Sequence, residues 1–262
     1  MITLQKKTLF LFLLFACSSI SIAVLAQEST PKNTKATRAG KLVSEKAGRP
    51  DVPGDLMIEI GFTWMNDHPV GHGFKTMASR TFNAYYLYDK PIGESAFSFH
   101  PGIGVGTEKY AFDKNSTLGY GLDDNGSKVV QFIDLEDIYG QGIAYRKSQI
   151  NANYLDIPLE IRWISRKYDP KRSLTVTIGG KAGILFDAKT KVKYLEDGEK
   201  KITKQKENFE LNPFRYGAYA KLGFGGFSAY YYYSFSTTFK KDKGPLATTM
   251  FPMTIGLSLA LF

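Results

Sequence analysis

The chain has 262 residues, a formal net charge of +9 and one cysteine, and its mean hydropathy is −0.22. Aromatic residues make up 14%, with 16 Tyr and 19 Phe, beside 25 Gly. A bundle of membrane helices would be far more hydrophobic, and one cysteine cannot build a disulfide framework; a transmembrane β-barrel hides its apolar residues by alternation and keeps a soluble-looking average.

Lys6 and Lys7 precede an almost wholly apolar run from Thr8 to Ala16. A second apolar stretch covers Ile20 to Leu25, and Val24-Leu25-Ala26 stands before Gln27. This is the pattern of a cleaved secretory signal peptide over residues 1–26. Cys17-Ser18-Ser19 interrupts the run before it reaches the roughly 20 apolar residues of a membrane anchor. Leu14-Phe15-Ala16-Cys17 fits a lipidation tetrad poorly because of Phe15. Cleavage after Ala26 leaves no cysteine, hence no disulfide and no thiol nucleophile. Residues 27–54, rich in Lys, Thr, Pro and Gly, read as a disordered periplasmic tail.

From residue 55 to 262 the pattern is that of an all-β, eight-stranded antiparallel transmembrane barrel. The first strand, about 56–65, puts Leu56, Ile58, Ile60, Phe62 and Trp64 on one face. The second, about 79–89, is aromatic-rich, and the third, about 96–111, sets Phe97, Phe99, Ile103 and Val105 against Gly102, Gly104 and Gly106. The fourth, about 149–165, sets Leu155, Ile157, Leu159, Ile161 and Trp163 against Asp156, Glu160 and Arg162. The remaining four are expected over about 173–189, 213–224, 227–239 and 249–262. Connections at 90–95, 166–172 and 225–226 are short, while those at 66–78, 112–148, 190–212 and 240–248 are long. That alternation is the signature of short periplasmic turns and long extracellular loops, with both termini on the periplasmic side.

Opposite the apolar stripes lie Glu59, His100, Glu108, Asp156, Glu160, Arg162, Lys181, Arg215 and Lys221. With the stripes facing lipid, these charges fill a lumen only wide enough for side chains. Of these, Glu59, Asp156, Glu160, Arg162, Lys181 and Lys221 are assigned structural roles in an ion-paired plug without an open pore. Trp64, Trp163 and Tyr230-Tyr231-Tyr232-Tyr233 suit interfacial aromatic girdles. The chain closes on Phe262, the residue type of an insertion signal, after alternating Ile255, Leu257, Leu259 and Leu261. Phe262 is one residue out of phase with that stripe, and a bulge would be needed to restore it.

Tyr154-Leu155-Asp156-Ile157-Pro158-Leu159 resembles the characteristic mid-barrel strand of the PorT-like outer-membrane β-barrel family of Bacteroidetes. The resemblance takes in the Gly-rich third and sixth strands and the closing Gly256-Leu257-Ser258-Leu259, and so covers about 56–262. It implies the barrel fold and, because the founding member is an accessory of the type IX secretion system, an accessory role in protein secretion. Pro158 removes a ladder donor, so a kink at a bulge or weak pairing is expected there.

Other candidate chemistry is thin. His68 and His72, with Asp67, offer three ligands in an exposed loop and lack a fourth, so no metal or cofactor is assigned. A rim enzyme would have to draw on His68, Asp67 and Ser79, whose spacing matches no triad logic. Asp123-Asp124-Asn125-Gly126 fails the calcium-loop pattern at Gly121 and Phe132, and Asn125-Gly126 reads as a hairpin turn, with Val129 to Ile133 able to extend strands above the membrane. The lysines between 191 and 206 are largely offset by Glu196, Asp197, Glu199, Glu207 and Glu210, as in a solvated hairpin beside lipopolysaccharide. No basic patch interleaves with stacking aromatics, so no nucleic-acid partner is expected.

The expected function is therefore a non-enzymatic integral outer-membrane barrel, structural or accessory, with secretion as the implied process. The alternative is a surface-exposed adhesion or ligand-binding barrel acting through loops 112–148 and 190–212. The expected partners are outer-membrane lipid and lipopolysaccharide, the barrel-assembly machinery during insertion and, from the resemblance, secretion-system proteins.

Overall fold

The computed structural model describes residues 54–66, 74–113, 115–122, 126–166, 169, 172–245 and 249–261. The expected signal peptide, nearly all of the expected tail, Asp67, His68, His72, Asp123 to Asn125 and Phe262 lie outside the described residues.

In chain order the strands are β1 (Asp55–Asn66), β2 (Arg80–Leu87), β3 (Lys90–Pro91), β4 (Phe97–Ala111), β5 (Ser116–Leu122), β6 (Lys128–Asp134), β7 (Ala144–Ile164), β8 (Leu174–Glu196), β9 (Glu199–Lys206), β10 (Phe214–Phe224), β11 (Phe227–Ser234) and β12 (Phe251–Ala260). Eight of them pair as neighbours around a ring, β1-β2-β4-β7-β8-β10-β11-β12, and β12 returns to β1, all antiparallel. The closing seam runs without a break from Met57 opposite Ala260 to Asn66 opposite Phe251, and the Leu261 amide extends it by donating to the Leu56 carbonyl at 2.9 Å. Closure leaves no edge strand in the membrane zone, where an unpaired backbone group is expensive. No bulge interrupts β12, so the odd-numbered stripe keeps one phase: Ile255 and Leu257 are 53% and 69% exposed, while Thr254 and Ser258 are buried.

In the membrane zone the outward face of every ring strand is apolar, with Phe62, Phe82, Ile103, Ile157, Ile178, Leu222 and Phe227 among its exposed residues. In water so many exposed apolar side chains would aggregate; in a bilayer they form the lipid-facing belt. The inward face carries the buried polar residues. Short turns join β2 to β4, β7 to β8 and β10 to β11 at the periplasmic end.

Pro158 sits in an unbroken register opposite Lys181, so no bulge forms at it. On its other side β4 and β7 pair through Pro101 opposite Leu159 and resume at Gly104 opposite Asp156, which leaves the proline at a weak stretch of ladder. The register shifts between β7 and β8 lie instead between Tyr145 and Lys147, where Arg146 is the extra residue of β7, and between Asn153 and Tyr154, where Phe186 is the extra residue of β8.

Above that bulge the expected loop at 190–212 is largely strand. β8 runs on to Glu196, turns at Asp197-Gly198 with φ of 53° and 80°, and returns as β9, which among the described residues pairs with β8 alone. Two positive φ values suit the two-residue turn that matches strand twist. The residues of the expected loop at 112–148 likewise fold into the β5–β6 hairpin, a separate two-stranded sheet, and a short helix at Leu135–Tyr139.

Candidate functional site

The lumen is built from residues that each strand presents inward at every second position. Near its periplasmic end Lys221 Nζ lies 2.7 Å from Glu59 Oε1 and 2.6 Å from Glu160 Oε1. Asn83 Nδ2 donates to Glu59 Oε2 at 2.8 Å, and the Tyr219 hydroxyl donates to Glu160 Oε1 at 2.9 Å. Arg162 donates to Asp55 at 2.7 Å and stands 3.7 Å from Glu160 Oε2. One layer up, Arg215 grips Asp156 with two nitrogens, Nε at 3.1 Å and Nη2 at 2.5 Å, and reaches Glu108 with Nη1. Tyr85 donates to Asp156 at 2.8 Å, Tyr110 donates to Glu108, and the Tyr154 ring stacks 4.0 Å from the guanidinium. A two-pronged guanidinium–carboxylate contact is the strongest geometry available to such a pair.

Lys181 is placed in this layer but differs from the other cations. Its ammonium donates to the Tyr85 hydroxyl at 3.2 Å and sits 4.2 Å from the Tyr232 ring, with no carboxylate in salt-bridge contact among the described residues. The ring faces do part of the work a carboxylate would do. Sequence reasoning placed Arg215 and Glu108 among the inward groups and gave them no assigned role, although together with Asp156 they form the centre of the network. Asp55, Asn83, Tyr85 and Tyr219 carried no signal, since their importance comes only from cross-barrel register.

Glycine makes the room. A Cβ on Gly106 would meet Arg215, Asp156 and Asn83, and one on Gly183 would meet Asp156. Gly104, Gly179, Gly217 and Gly256 likewise stand under Tyr85, Tyr219, Tyr232 and Tyr230. The glycine-rich strands are thus the sockets of the large inward side chains.

The extracellular mouth is closed by apolar packing. Leu118 and Val130 of the β5–β6 hairpin are buried against Tyr110, Phe112, Ile150 and Tyr154 of the wall, and Phe209, Leu211, Phe239 and Met250 join them from neighbouring segments. Phe209 stacks on Tyr120 at 6.1 Å. The periplasmic end instead opens on a cleft of about 550 Å³ whose lining includes Asp55, Met57, Asp89, Arg162, Lys221 and Ser258. Beside it Ser98 Oγ is 2.7 Å and Asp89 Oδ1 3.4 Å from His100. Both contacts fall on the same ring nitrogen, Nε2, and Nδ1 has no hydrogen-bond partner among the described residues. A nucleophilic relay needs base and orienting acid on opposite nitrogens, so this trio is not wired as one. Among the described residues no group of His, Cys, Asp and Glu is placed to hold a metal ion.

The profile of a family described as "Outer membrane protein beta-barrel domain" matches residues 66–240, from the end of β1 past β11. Among curated proteins none matches the chain. Among solved structures, the attachment invasion locus protein Ail of Yersinia pestis is similar at 11% identity and a TM-score of 0.34, over 80% of this chain and 100% of that one. A triple mutant of the Rhodopseudomonas blastica porin is similar at 8% identity and a TM-score of 0.19, over 79% and 99%. Neither likeness bears on what this chain binds. The ring of eight strands, its apolar outer belt and the profile match agree, and the chain belongs to the outer membrane protein beta-barrel domain family.

Proposed function

We propose that this outer-membrane barrel is non-enzymatic and non-conducting, and that it serves to hold a recognition surface above the membrane. The observation that carries the reading is the length of β8. It has 23 residues, more than twice the roughly 10 that a tilted strand needs to span a bilayer. Its lipid-facing apolar residues end at Phe186, and beyond that point β7, β8 and β9 continue as one hydrogen-bonded sheet. A barrel needing only to fill the membrane has no use for such an extension, and ordered surface is what recognition requires. The filled lumen and the capped mouth support a protein that passes no solute. The same-nitrogen geometry at His100 supports the absence of catalysis.

The second reading, an accessory of protein secretion, draws on the sequence resemblance and on the cleft of about 550 Å³ at the periplasmic end. One experiment separates the two. Thr190 and Gln205 are paired, so replacing residues 191–204 by Asn-Gly shortens the hairpin and leaves the β7–β8 ladder intact from Ile150 and Thr190 down through the membrane zone. A deletion strain is complemented with the wild-type or shortened protein, then compared for attachment to mucin-coated surfaces and for exported proteins by mass spectrometry. Recognition expects attachment to fail in both the deletion and the shortened strain, with the exported set unchanged. Unchanged attachment overturns it. Export lost on deletion and restored by the shortened barrel establishes the accessory role instead.

A further inference from the structure

The outer face of the extracellular sheet carries a cluster of cations that the recognition reading does not use. Arg80, Lys109, Lys147, Lys191 and Lys193, with Gln149 and Ala78, line a cleft of about 320 Å³. That volume falls within the range of small-ligand sites. Strand register brings the charges together. Arg80 is directly opposite Lys109, Lys147 opposite Lys193, and Lys191 opposite Lys204. Like charges facing across a ladder are destabilising, and here three such pairs adjoin. Partial burial, then the positive field of Arg80, Lys193, Lys109 and Lys191, holds the Lys147 ammonium below the ordinary lysine range.

Neighbouring lysines are treated differently. Lys189 and Lys206, also directly opposed, share Asp187 at 3.2 and 3.0 Å, Lys201 pairs with Glu196 at 2.5 Å, and Lys75 pairs with Asp113 at 3.6 Å. Among the described residues no carboxylate forms a salt bridge with any of the five cleft cations. Arg80 has the Phe62 ring at 5.8 Å as an apolar neighbour. The sequence thus supplies acids around the cleft and withholds them from it.

The position of the cleft says which anion completes it. Arg80 stands two residues beyond the lipid-facing Phe82 and Lys109 four beyond Val105, about 7 and 13 Å along their strands at ~3.3 Å per residue, while Lys191 and Lys193 stand five and seven beyond Phe186, about 17 and 23 Å, so the cleft runs outward from the edge of the belt. Long basic side chains just outside an apolar belt lie at headgroup depth. The opposite face of the same wall is apolar, with Leu135 packed on Val192 and Tyr194, so the cations are confined to the side that faces neighbouring lipid. We infer that this cleft is a binding site for the phosphate groups on the sugar headgroup of an outer-leaflet glycolipid, with Arg80, Lys109, Lys147, Lys191 and Lys193 as its ligands. Lys191 and Lys193 also lie in the 191–204 segment of the hairpin, whereas Arg80, Lys109 and Lys147 lie outside it.

The test uses the full-length barrel in neutral detergent, stripped of lipid, with diphosphoryl lipid A as probe and native mass spectrometry as readout. Wild type should bind it about tenfold more tightly than the triple variant Lys109→Gln, Lys147→Gln, Lys191→Gln, as expected for losing several partly desolvated charge contacts. Lys240→Gln, Lys241→Gln, Lys243→Gln removes equal charge from another extracellular segment and should bind as wild type. Dephosphorylated lipid A should bind wild type no better than the cleft variant binds the phosphorylated form. A cold gel-mobility shift shows that each variant has folded. Independently of any variant, phosphorylated lipid A should raise the unfolding temperature of wild type and the dephosphorylated form should not. Equal losses in the two triple variants, or equal binding of the dephosphorylated lipid, overturn the site. Full displacement by inorganic pyrophosphate at matched phosphate concentration overturns the lipid as its source, leaving a site for a free anion.

Discussion

Arg215 is the residue on which the middle of the lumen depends. It lies against Asp156 and Glu108 at once, and all three are almost wholly shut off from solvent. Removing one partner of a buried pair leaves the other charge uncompensated, which costs more than the pair contributes. Arg215→Met should therefore destabilise the folded barrel by roughly 3–5 kcal/mol, read as a lower urea midpoint for barrels refolded in lipid vesicles. Lys181→Met should cost no more than about 2 kcal/mol, because the ammonium rests on a tyrosine ring and hydroxyl and strands no carboxylate when removed. Equal losses for the two variants would show that all lumen cations act as one pool of charge, with pairing geometry irrelevant. Gly106 supplies a steric counterpart. Its missing Cβ is the space that the Arg215 and Asp156 head groups occupy, so Gly106→Ala should cost about 1–3 kcal/mol by forcing that pair apart. The same urea series checks it, and an unchanged midpoint would mean the pair can shift freely.

At the level of elements, the β8–β9 hairpin depends on its turn. Asp197 and Gly198 both hold positive φ, a region where an alanine is strained. Asp197→Ala with Gly198→Ala should destabilise the hairpin locally by about 1–2 kcal/mol per strained position. Hydrogen exchange should then speed up for amides at 189–206 while β1 and β12 keep their protection; uniform protection would show that the hairpin is held by packing and not by its turn. The hairpin also shows what a sequence makes legible. Alternation exposed all eight ring strands because each separates lipid from lumen, and a one-residue error of phase would put charge into lipid. In β7, Leu155, Ile157, Leu159 and Ile161 point out while Asp156 and Glu160 point in. Above the membrane both faces meet water or a cap, alternation weakens, and Lys189 to Lys206 reads as charge density even though Asp197-Gly198 marks the turn. As the unpaired edge of this sheet, β9 carries Lys200, Lys201, Lys204 and Lys206, which keeps another chain from adding a strand to it. The lumen was legible as a set of charges and not as a network. Partners such as Tyr85 with Asp156 or Tyr219 with Glu160 are set by where distant strands meet across the barrel, which no local pattern encodes.

For the whole molecule, two seals stand in series along the axis. The apolar cluster at the extracellular mouth excludes water by packing, and the Arg215 and Lys221 layers below it fill the remaining section with paired charge. An eight-stranded ring is only wide enough for side chains, so each layer suffices alone. Planar-bilayer recordings of the wild-type barrel should accordingly show no steady current. Excising the cap by joining Ser116 to Asp134, which are paired across the base of the β5–β6 hairpin, should leave the baseline unchanged, because the charged layers remain. Adding Glu108→Ala, Asp156→Ala and Arg215→Ala to that excision should still pass none, because the Lys221 layer remains, and a small steady current should appear only when Glu59→Ala, Glu160→Ala and Lys221→Ala are added as well. Steady current through the wild type would refute the series arrangement at once. Current appearing with the cap excision alone would place the entire barrier in the apolar mouth and assign the buried charges to holding the strands in register.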